Sequence, residues 1–159
     1  MRRRNAGFTL SELLASLLIL AMVTMVIASG VTVVKRSYDT ITRRAEADVL
    51  LSTCVTSLED EFRYATNIRT SNGVITYDSL AQKLSDVHID TDTDNGIRLV
   101  SGVTGASAAL VSDKLATRGL SVSVTDLSYE DDVVTFTVSV ATTDKTYATK
   151  TIRVRPLNS

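Results

Sequence analysis

The sequence has few of the residues that usually carry cross-links, metal sites or catalysis. A single cysteine, Cys54, excludes an internal disulfide, so packing alone must hold the fold together. The single histidine, His88, has no triad or metal-binding constellation around it, and no glycine-rich phosphate-binding loop is present. Because no catalytic constellation is visible, we expect neither an enzyme nor a resident metal or cofactor.

Charge is nearly absent from the N-terminal part of the chain. The segment Leu13–Val34 contains 22 residues without a charged side chain. Four charged residues precede Lys35, namely Arg2, Arg3, Arg4 and Glu12. The rest of the chain has a net charge of −3, and its tyrosines and phenylalanines are not interleaved with basic residues. This balance disfavours a nucleic-acid-binding protein.

One long helix is predicted over residues 8 to about 66. The stretch contains no proline, and its only internal glycine is Gly30. At about 1.5 Å per residue, such a helix far exceeds the ~30 Å hydrocarbon core of a bilayer. Its first half is apolar all round, whereas its second half has an apolar stripe at helical spacing: Leu51, Val55, Leu58, Phe62 and Ala65. We expect the first half in lipid or a helix bundle and the second half against a globular domain.

Beyond residue 70 the pattern predicts antiparallel strands, because apolar residues alternate with polar ones. The alternating segments are 74–77, 87–89, 97–100, 120–124, 134–140 and 152–154. Asn95-Gly96 is typical of a hairpin turn, and residues 102–107 read as a loop. The last three segments predict a three-stranded meander that covers the apolar stripe of the helix. The expected fold is therefore α+β, with a long N-terminal helix packed on a C-terminal antiparallel sheet.

Residues 7–14 read Gly-Phe-Thr-Leu-Ser-Glu-Leu-Leu and place Glu12 at the start of the apolar segment. A carboxylate near the bilayer centre costs roughly 2.5–3.5 kcal/mol on insertion scales, and less near the interface. Such a residue usually requires a partner. The segment resembles the N-terminal signature of the type IV prepilins and of the pseudopilins of type II secretion and competence systems. The resemblance covers about the first 30 residues.

The resemblance implies a sequence of processing and assembly steps. A prepilin peptidase would cleave after Gly7, and the new N-terminal residue, Phe8, would be N-methylated by the same enzyme. Glu12 would neutralise the amine of a neighbouring subunit and so set the register of assembly. The implied partners are other pilin subunits, the peptidase and methyltransferase, the inner-membrane assembly platform, and membrane lipid before assembly.

The resemblance also implies a domain organisation and a function. Residues 1–7 would be a leader, 8–34 a transmembrane and filament-core helix, 35–66 its amphipathic continuation, and 67–159 a β-rich globular domain. The chain would be a single-pass membrane protein with a cytoplasmic N-terminus that later joins a surface, periplasmic or cell-wall filament. A minor pilin is the first expectation. The alternatives are a major pilin, a secretion or competence pseudopilin, and a membrane-tethered ligand-binding module.

Other interpretations of the N-terminus remain open. A secretory signal peptide cleaved after Ala28, before Ser29, would suit the basic start and the apolar stretch, although Glu12 would interrupt that stretch. An uncleaved anchor with its N-terminus inside would also satisfy the positive-inside rule. A lipoprotein is disfavoured, because the only cysteine, Cys54, lies too far along the chain.

An acidic cluster offers a possible metal site. Asp90, Asp92 and Asp94 alternate along the chain as the first ligands of an EF-hand loop do. However, glycine comes one position late, and Ser101 stands where the bidentate glutamate of such a loop belongs. A solvated acidic hairpin turn is the default interpretation, with a calcium site as the alternative.

Overall fold

The computed structural model describes residues 9–71, 73–91 and 96–157, and it shows one long helix followed by antiparallel strands. The elements are α1 Leu10–Arg63, β1 Thr66–Ser71, β2 Val74–Ser79, β3 Leu84–Asp90, β4 Ile97–Ser101, β5 Ser107–Val111, β6 Ser121–Glu130, β7 Val133–Thr142 and β8 Lys145–Val154. A short 3-10 helix, Asp113–Leu115, lies between β5 and β6. The predicted α+β class is confirmed.

The strands form two antiparallel sheets. One has the order β1-β2-β3-β4-β5, and the other has the order β6-β7-β8. The second sheet is the predicted meander, with Val138 of β7 opposite both Val124 of β6 and Lys150 of β8. The predicted hairpin is formed by β3 and β4, in which Ile89 pairs with Leu99. Its turn residue Asn95 lies outside the described residues.

Two strands and the end of the helix differ from the sequence-based prediction. Helix α1 ends at Arg63 rather than near residue 66, because Thr66 already pairs with Asp78 in the β1–β2 ladder. Strand β1 lies at the edge of its sheet, and most of its side chains are exposed. Its sequence therefore lacks the alternation of apolar and polar residues from which a strand is predicted. Strand β5 begins at Ser107, in a run of small residues that reads as a loop, and it becomes a strand through pairing with β4.

Gly96 is required by a close approach between two segments of backbone. A Cβ atom at this position would lie 2.4 Å from the carbonyl oxygen of Val111 and 2.8 Å from the amide nitrogen of Asp113. Both are backbone atoms, which cannot rotate out of the way as a side chain can. Glycine therefore lets the start of β4 lie against the end of β5.

The chain divides into two contact units at Thr42 and Arg43. In the second unit, the core-facing side of α1 buries Ala47, Leu50, Cys54, Val55, Leu58, Glu61 and Phe62. Phe62 contacts one aromatic residue from each sheet, with ring centroids 5.3 Å from Tyr77 of β2 and 5.4 Å from Phe136 of β7. The predicted packing of the meander on the helical stripe is confirmed, and the five-stranded sheet shares the same core.

Cys54 is fully buried in this core. Burial raises the pKa of its thiol to about 11. A thiol with so high a pKa holds little of the reactive thiolate at neutral pH. Cys54 therefore acts as a small packing residue, as its place in the helical pattern predicts.

Two buried polar groups near Phe62 were not anticipated from the sequence. Glu61 of α1 is 5% exposed and Tyr77 of β2 is 1% exposed. Neither the Oε1 atom of Glu61 nor the hydroxyl of Tyr77 has a hydrogen-bond partner within the described part of the chain. Burial, and then the nearby Glu61 carboxylate, raise the pKa of Tyr77 well above its ordinary value. Glu61 also stands in the last turn of α1, where the helix dipole disfavours negative charge.

We predict that Tyr77→Phe reduces the loss of stability at alkaline pH. The raised pKa means that the folded protein retains a phenol proton that the unfolded chain releases above its ordinary pKa of 10.0. The free energy of unfolding should therefore fall as the pH rises beyond that value, and less steeply in the variant. Urea unfolding of the detergent-solubilised protein between pH 8 and 11 measures this.

Tyr64→Phe is the matched control, because Tyr64 is 51% exposed. At neutral pH we expect Tyr77→Phe to change the free energy of unfolding by less than about 1 kcal/mol, since the hydroxyl it removes has no hydrogen-bond partner among the described residues. Equal pH dependence in Tyr77→Phe and the unsubstituted protein would contradict the assignment.

Candidate membrane-anchoring and assembly site

The first turn of α1 contains a reciprocal pair of hydrogen bonds between Thr9 and Glu12. The backbone N–H of Thr9 donates to Oε2 of Glu12 at 3.0 Å, and the Thr9 hydroxyl donates to the same oxygen at 2.9 Å. In return, the backbone N–H of Glu12 donates to Oγ1 of Thr9 at 3.4 Å, and it also donates to the Thr9 carbonyl oxygen at 3.1 Å. This arrangement is a capping box, in which threonine precedes the helix and glutamate stands three residues later.

The capping box leaves half of the Glu12 carboxylate available. Both bonds from Thr9 end on Oε2, and no described residue donates a hydrogen bond to Oε1. The Glu12 carboxylate accepts a hydrogen bond from the Thr9 backbone N–H. This N–H would otherwise be unpaired at the start of the helix, and an unpaired N–H is costly in lipid. Glu12 thus has a partner within its own chain and retains an acceptor for a second one.

The hydroxyl groups of the apolar segment are satisfied inside the helix. Each donates to a backbone carbonyl three or four residues earlier: Ser16 to Glu12, Thr24 to Leu20 and Ala21, Ser29 to Val26, and Thr32 to Ala28. Helix α1 passes through Ser29 and Gly30 without interruption. The segment therefore presents an apolar exterior and no unpaired hydroxyl donor, as a hydrocarbon environment requires.

The large apolar side chains between Leu10 and Val34 are not covered by any described residue, and their exposed fractions are 48–81%. The most apolar window of α1 has a mean hydropathy of 2.6, and the helix is long and apolar enough to cross a membrane. An exposed apolar surface of this extent requires lipid or other helices as cover. These features are consistent with a membrane-anchored protein.

The structure tests only some of the site residues expected from the sequence. Gly7 and Phe8, the expected cleavage and methylation positions, lie outside the described residues, as do Asp92 and Asp94 of the acidic cluster. Asp90 is the last residue of β3. In the described ranges, no group of three or more histidine, cysteine, aspartate or glutamate side chains is arranged to hold a metal ion.

His88 lies in β3, half-buried and opposite Val100 of β4. This is the position of an ordinary strand residue, as the sequence predicts. Thr9, by contrast, was recognised only as part of the prepilin-like motif. Its capping role could have been found from the spacing, since threonine followed three residues later by glutamate before an apolar run is the capping-box pattern.

A comparison with known protein families finds a match that includes Thr9, Glu12 and most of the apolar segment. Residues 2–28 match the family model described as the prokaryotic N-terminal methylation motif. The match supports a protein of the type IV pilin-like and pseudopilin class, whose processing involves a prepilin peptidase. Neither a curated protein nor a solved structure matches the chain.

We predict that Thr9→Val loosens the first turn of α1. The substitution keeps the side-chain shape but removes the hydroxyl that caps the helix, a change worth roughly 1 kcal/mol. Hydrogen exchange at the Glu12 and Leu13 amides, which also donate to the Thr9 carbonyl oxygen, should accelerate about fivefold in detergent micelles because the first turn opens more often. Ser16→Ala is the control, because its hydroxyl bonds to a carbonyl and caps no N–H. Unchanged exchange in Thr9→Val would refute the capping role.

Proposed function

We propose that the protein is a structural subunit of a type IV pilus-like filament. The observation that carries this proposal is a first-turn carboxylate, Glu12, at the head of an apolar helical segment that no described residue covers. The methylation motif over residues 2–28 supports the processing that precedes assembly. In this proposal the protein has a structural role and no catalytic one.

The proposed sequence of events begins in the membrane. The chain inserts with its three N-terminal arginines on the cytoplasmic side, as the positive-inside rule favours. The peptidase removes residues 1–7, and Phe8 becomes the methylated N-terminus. The assembly platform then moves the subunit into a filament that displays residues 67–159.

The surface of the apolar segment suits both stages of this process. Helices in lipid associate through close packing and interhelical hydrogen bonds, because lipid is as apolar as the helix surface itself. Since Ser16, Thr24, Ser29 and Thr32 bond within the helix, the exterior is equally compatible with lipid and with other helices. Transfer from the membrane to a helix bundle then exposes no unsatisfied hydroxyl donor.

Glu12 is proposed to set the register of assembly. Its Oε2 atom is held by Thr9, and its carboxylate can pair with the methylated amine of Phe8 in a neighbouring subunit. An unpaired charge in an apolar bundle is costly, so any register that separates the carboxylate from the amine is disfavoured. The capping box holds the carboxylate in place before that partner arrives.

Within this class, we propose a minor subunit. The ground for this choice is a loose resemblance of residues 58–65, and of the threonine- and serine-rich meander with the residues 153–157 at its end, to minor pilins and secretion pseudopilins. A major pilin and a pseudopilin of a type II secretion or competence DNA-uptake system are the alternatives. Recovery of the protein from the sheared surface fraction would favour a pilus over a short pseudopilus.

We predict that the mature protein begins at Phe8 and carries one added methyl group. Intact-mass and N-terminal peptide analysis of the protein from native membranes and from the sheared surface fraction measures this. A chain that begins at Met1 would support a membrane-tethered module instead. A chain that begins at Ser29 would indicate a secreted protein and would remove the role proposed for Glu12.

We predict that Glu12→Gln inserts normally but enters filaments at least tenfold less than the unsubstituted protein, an order-of-magnitude expectation for an unpaired buried charge. Glutamine can still complete the capping box, so this variant removes the charge and keeps the cap. The ratio of sheared-fraction to membrane protein is the measurement.

Thr9→Val is the complementary variant for Glu12→Gln, because it weakens the cap and keeps the charge. Its loss of filament incorporation should be the smaller of the two. Equal incorporation of Glu12→Gln and the unsubstituted protein would contradict the register-setting role.

A further inference from the structure

One margin of the three-stranded sheet is open. Strand β8 has ten residues and no proline, and no described strand pairs with its outer side. The opposite margin differs, because β6 lies against β1 and β2 of the other sheet. Thr149, Lys150 and Thr151 of β8 are all exposed. We call the outward side of residues 148–154 the β8 edge.

The pairing with β7 shows which backbone groups of the β8 edge point outward. In an antiparallel ladder, side chains lie closer together in the non-hydrogen-bonded pairs, whose backbone N–H and C=O groups point away from the partner strand. The hydroxyl oxygens of Thr151 and Thr137 lie 2.9 Å apart. Those of Thr149 and Ser139 lie 3.2 Å apart. These contacts mark the non-hydrogen-bonded pairs, so the backbone groups of Thr149 and Thr151 point away from β7.

The β8 edge is regular enough to act as a template for a further strand. Its register with β7 runs unbroken from Val154 to Ala148, and the one shift lies beyond it, between Val140 and Ala141 of β7. A regular stretch of this length is that of an ordinary strand. Outward N–H and C=O groups on an exposed strand can form a ladder with an extended segment of another chain.

The charge of the β8 edge favours an acidic partner. Lys150 and Arg153 are exposed, and residues 145–155 contain no acidic residue. Neither side chain has an ion-pair partner among the described residues. Because the two lie three residues apart along a strand, they project from opposite faces of the sheet. A complementary strand would carry two acidic residues at the same spacing, one beside each basic side chain.

These charges argue against a second copy of this chain as the partner. The edge strands β1, β5 and β8 contain no acidic residue. Strand β6 contains Asp126 and Glu130, but it lies against β1 and β2. Pairing two β8 edges would place basic side chains beside each other, which is destabilising. A strand of different sequence is therefore the better partner, and the neighbours of a minor subunit are pilins of different sequence.

We propose that the β8 edge receives an extended, acidic segment of a different pilin subunit as a fourth strand of the sheet. Backbone hydrogen bonds at Thr149 and Thr151 provide the contact, and carboxylates beside Lys150 and Arg153 select the segment. The inference rests on the proposed filament function, because that function supplies the neighbouring subunit. It adds a contact of the globular domain to the one proposed for Glu12.

Hydrogen exchange at single amides tests for the added strand. In the detergent-solubilised protein, the Thr149 and Thr151 amides should exchange fast, since they point to solvent. In sheared filaments they should exchange at least about tenfold more slowly, because each then donates to the added strand. The Lys150 amide, which points toward β7, should exchange slowly in both samples and is the internal control. Mass spectrometry with fragmentation at single residues measures all three amides.

Proline at position 149 isolates the backbone contact. Thr149→Pro removes an N–H that points outward, a position at which an edge strand tolerates proline. Thr149→Val is the matched control, because it keeps the N–H, and both variants lose the hydroxyl contact with Ser139. Per inserted copy, Thr149→Pro should enter filaments about fivefold less than Thr149→Val, as the loss of one hydrogen bond predicts. Slow exchange of the Lys150 amide in Thr149→Pro verifies that the variant is folded.

Charge reversal and cross-linking identify the partner. Lys150→Glu should lower incorporation about fivefold. Lys114→Glu, which reverses an exposed lysine of the 3-10 helix, should not. A photoreactive side chain at position 151 should cross-link to an extended segment of another pilin subunit that has acidic residues three positions apart. Replacing the acidic residue beside Lys150 with lysine in that subunit should restore the incorporation of Lys150→Glu.

Each contrary result overturns a distinct part of the proposal. Fast exchange of the Thr149 and Thr151 amides in filaments, or equal incorporation of Thr149→Pro and Thr149→Val, excludes the added strand. Unaltered incorporation of Lys150→Glu excludes an acidic partner. A cross-link to a second copy of this chain, or to a protein that is not a pilin subunit, excludes the proposed partner. These results leave the filament assignment intact, whereas absence of the unsubstituted protein from the sheared fraction overturns both.

Discussion

The apolar side chains of α1 are exposed over its first part, among the described residues, whereas one side of its second part is buried under the two sheets, and the rest of the structure depends on this difference. Side chains between Leu10 and Val34 lie exposed, whereas Leu58 and Phe62 are completely buried. One helix thus meets two environments. In its first part, the hydroxyl groups donate to backbone carbonyls of the same helix, so no hydroxyl donor there is unpaired. In its second part, the two sheets pack on the helix and keep water from its apolar side chains.

Polar groups at the two ends of α1 differ in whether they have hydrogen-bond partners. At the start of α1, Thr9 and Glu12 satisfy each other and keep one carboxylate oxygen available. Near its end, Glu61 and Tyr77 are buried beside each other, and no described residue forms a hydrogen bond with Oε1 of Glu61 or with the Tyr77 hydroxyl. The first arrangement is suited to accept a partner from outside the chain. The second raises the pKa of Tyr77 and makes the core sensitive to alkaline pH.

The surface of the globular domain also carries charged side chains without an ion-pair partner among the described residues. Arg63, Arg153 and Arg155 line one surface cleft, and Glu130, Asp131 and Asp132 are exposed at the turn between β6 and β7. In a filament, neighbouring subunits would cover the apolar segment of α1. Apolar burial would supply most of the affinity, and the charges would mainly select the arrangement.

The sequence by itself determined the features that follow from local periodicity and composition: the long helix, the apolar segment, the C-terminal meander and Glu12 at a helix start. These are readable because each residue's neighbours along the chain set the pattern. Only the tertiary structure decided the helix end at Arg63 and the strands β1 and β5, which depend on pairing with partners distant in sequence. It also decided the burial of Glu61 beside Tyr77, since a local sequence pattern does not determine which surfaces meet when separate elements pack.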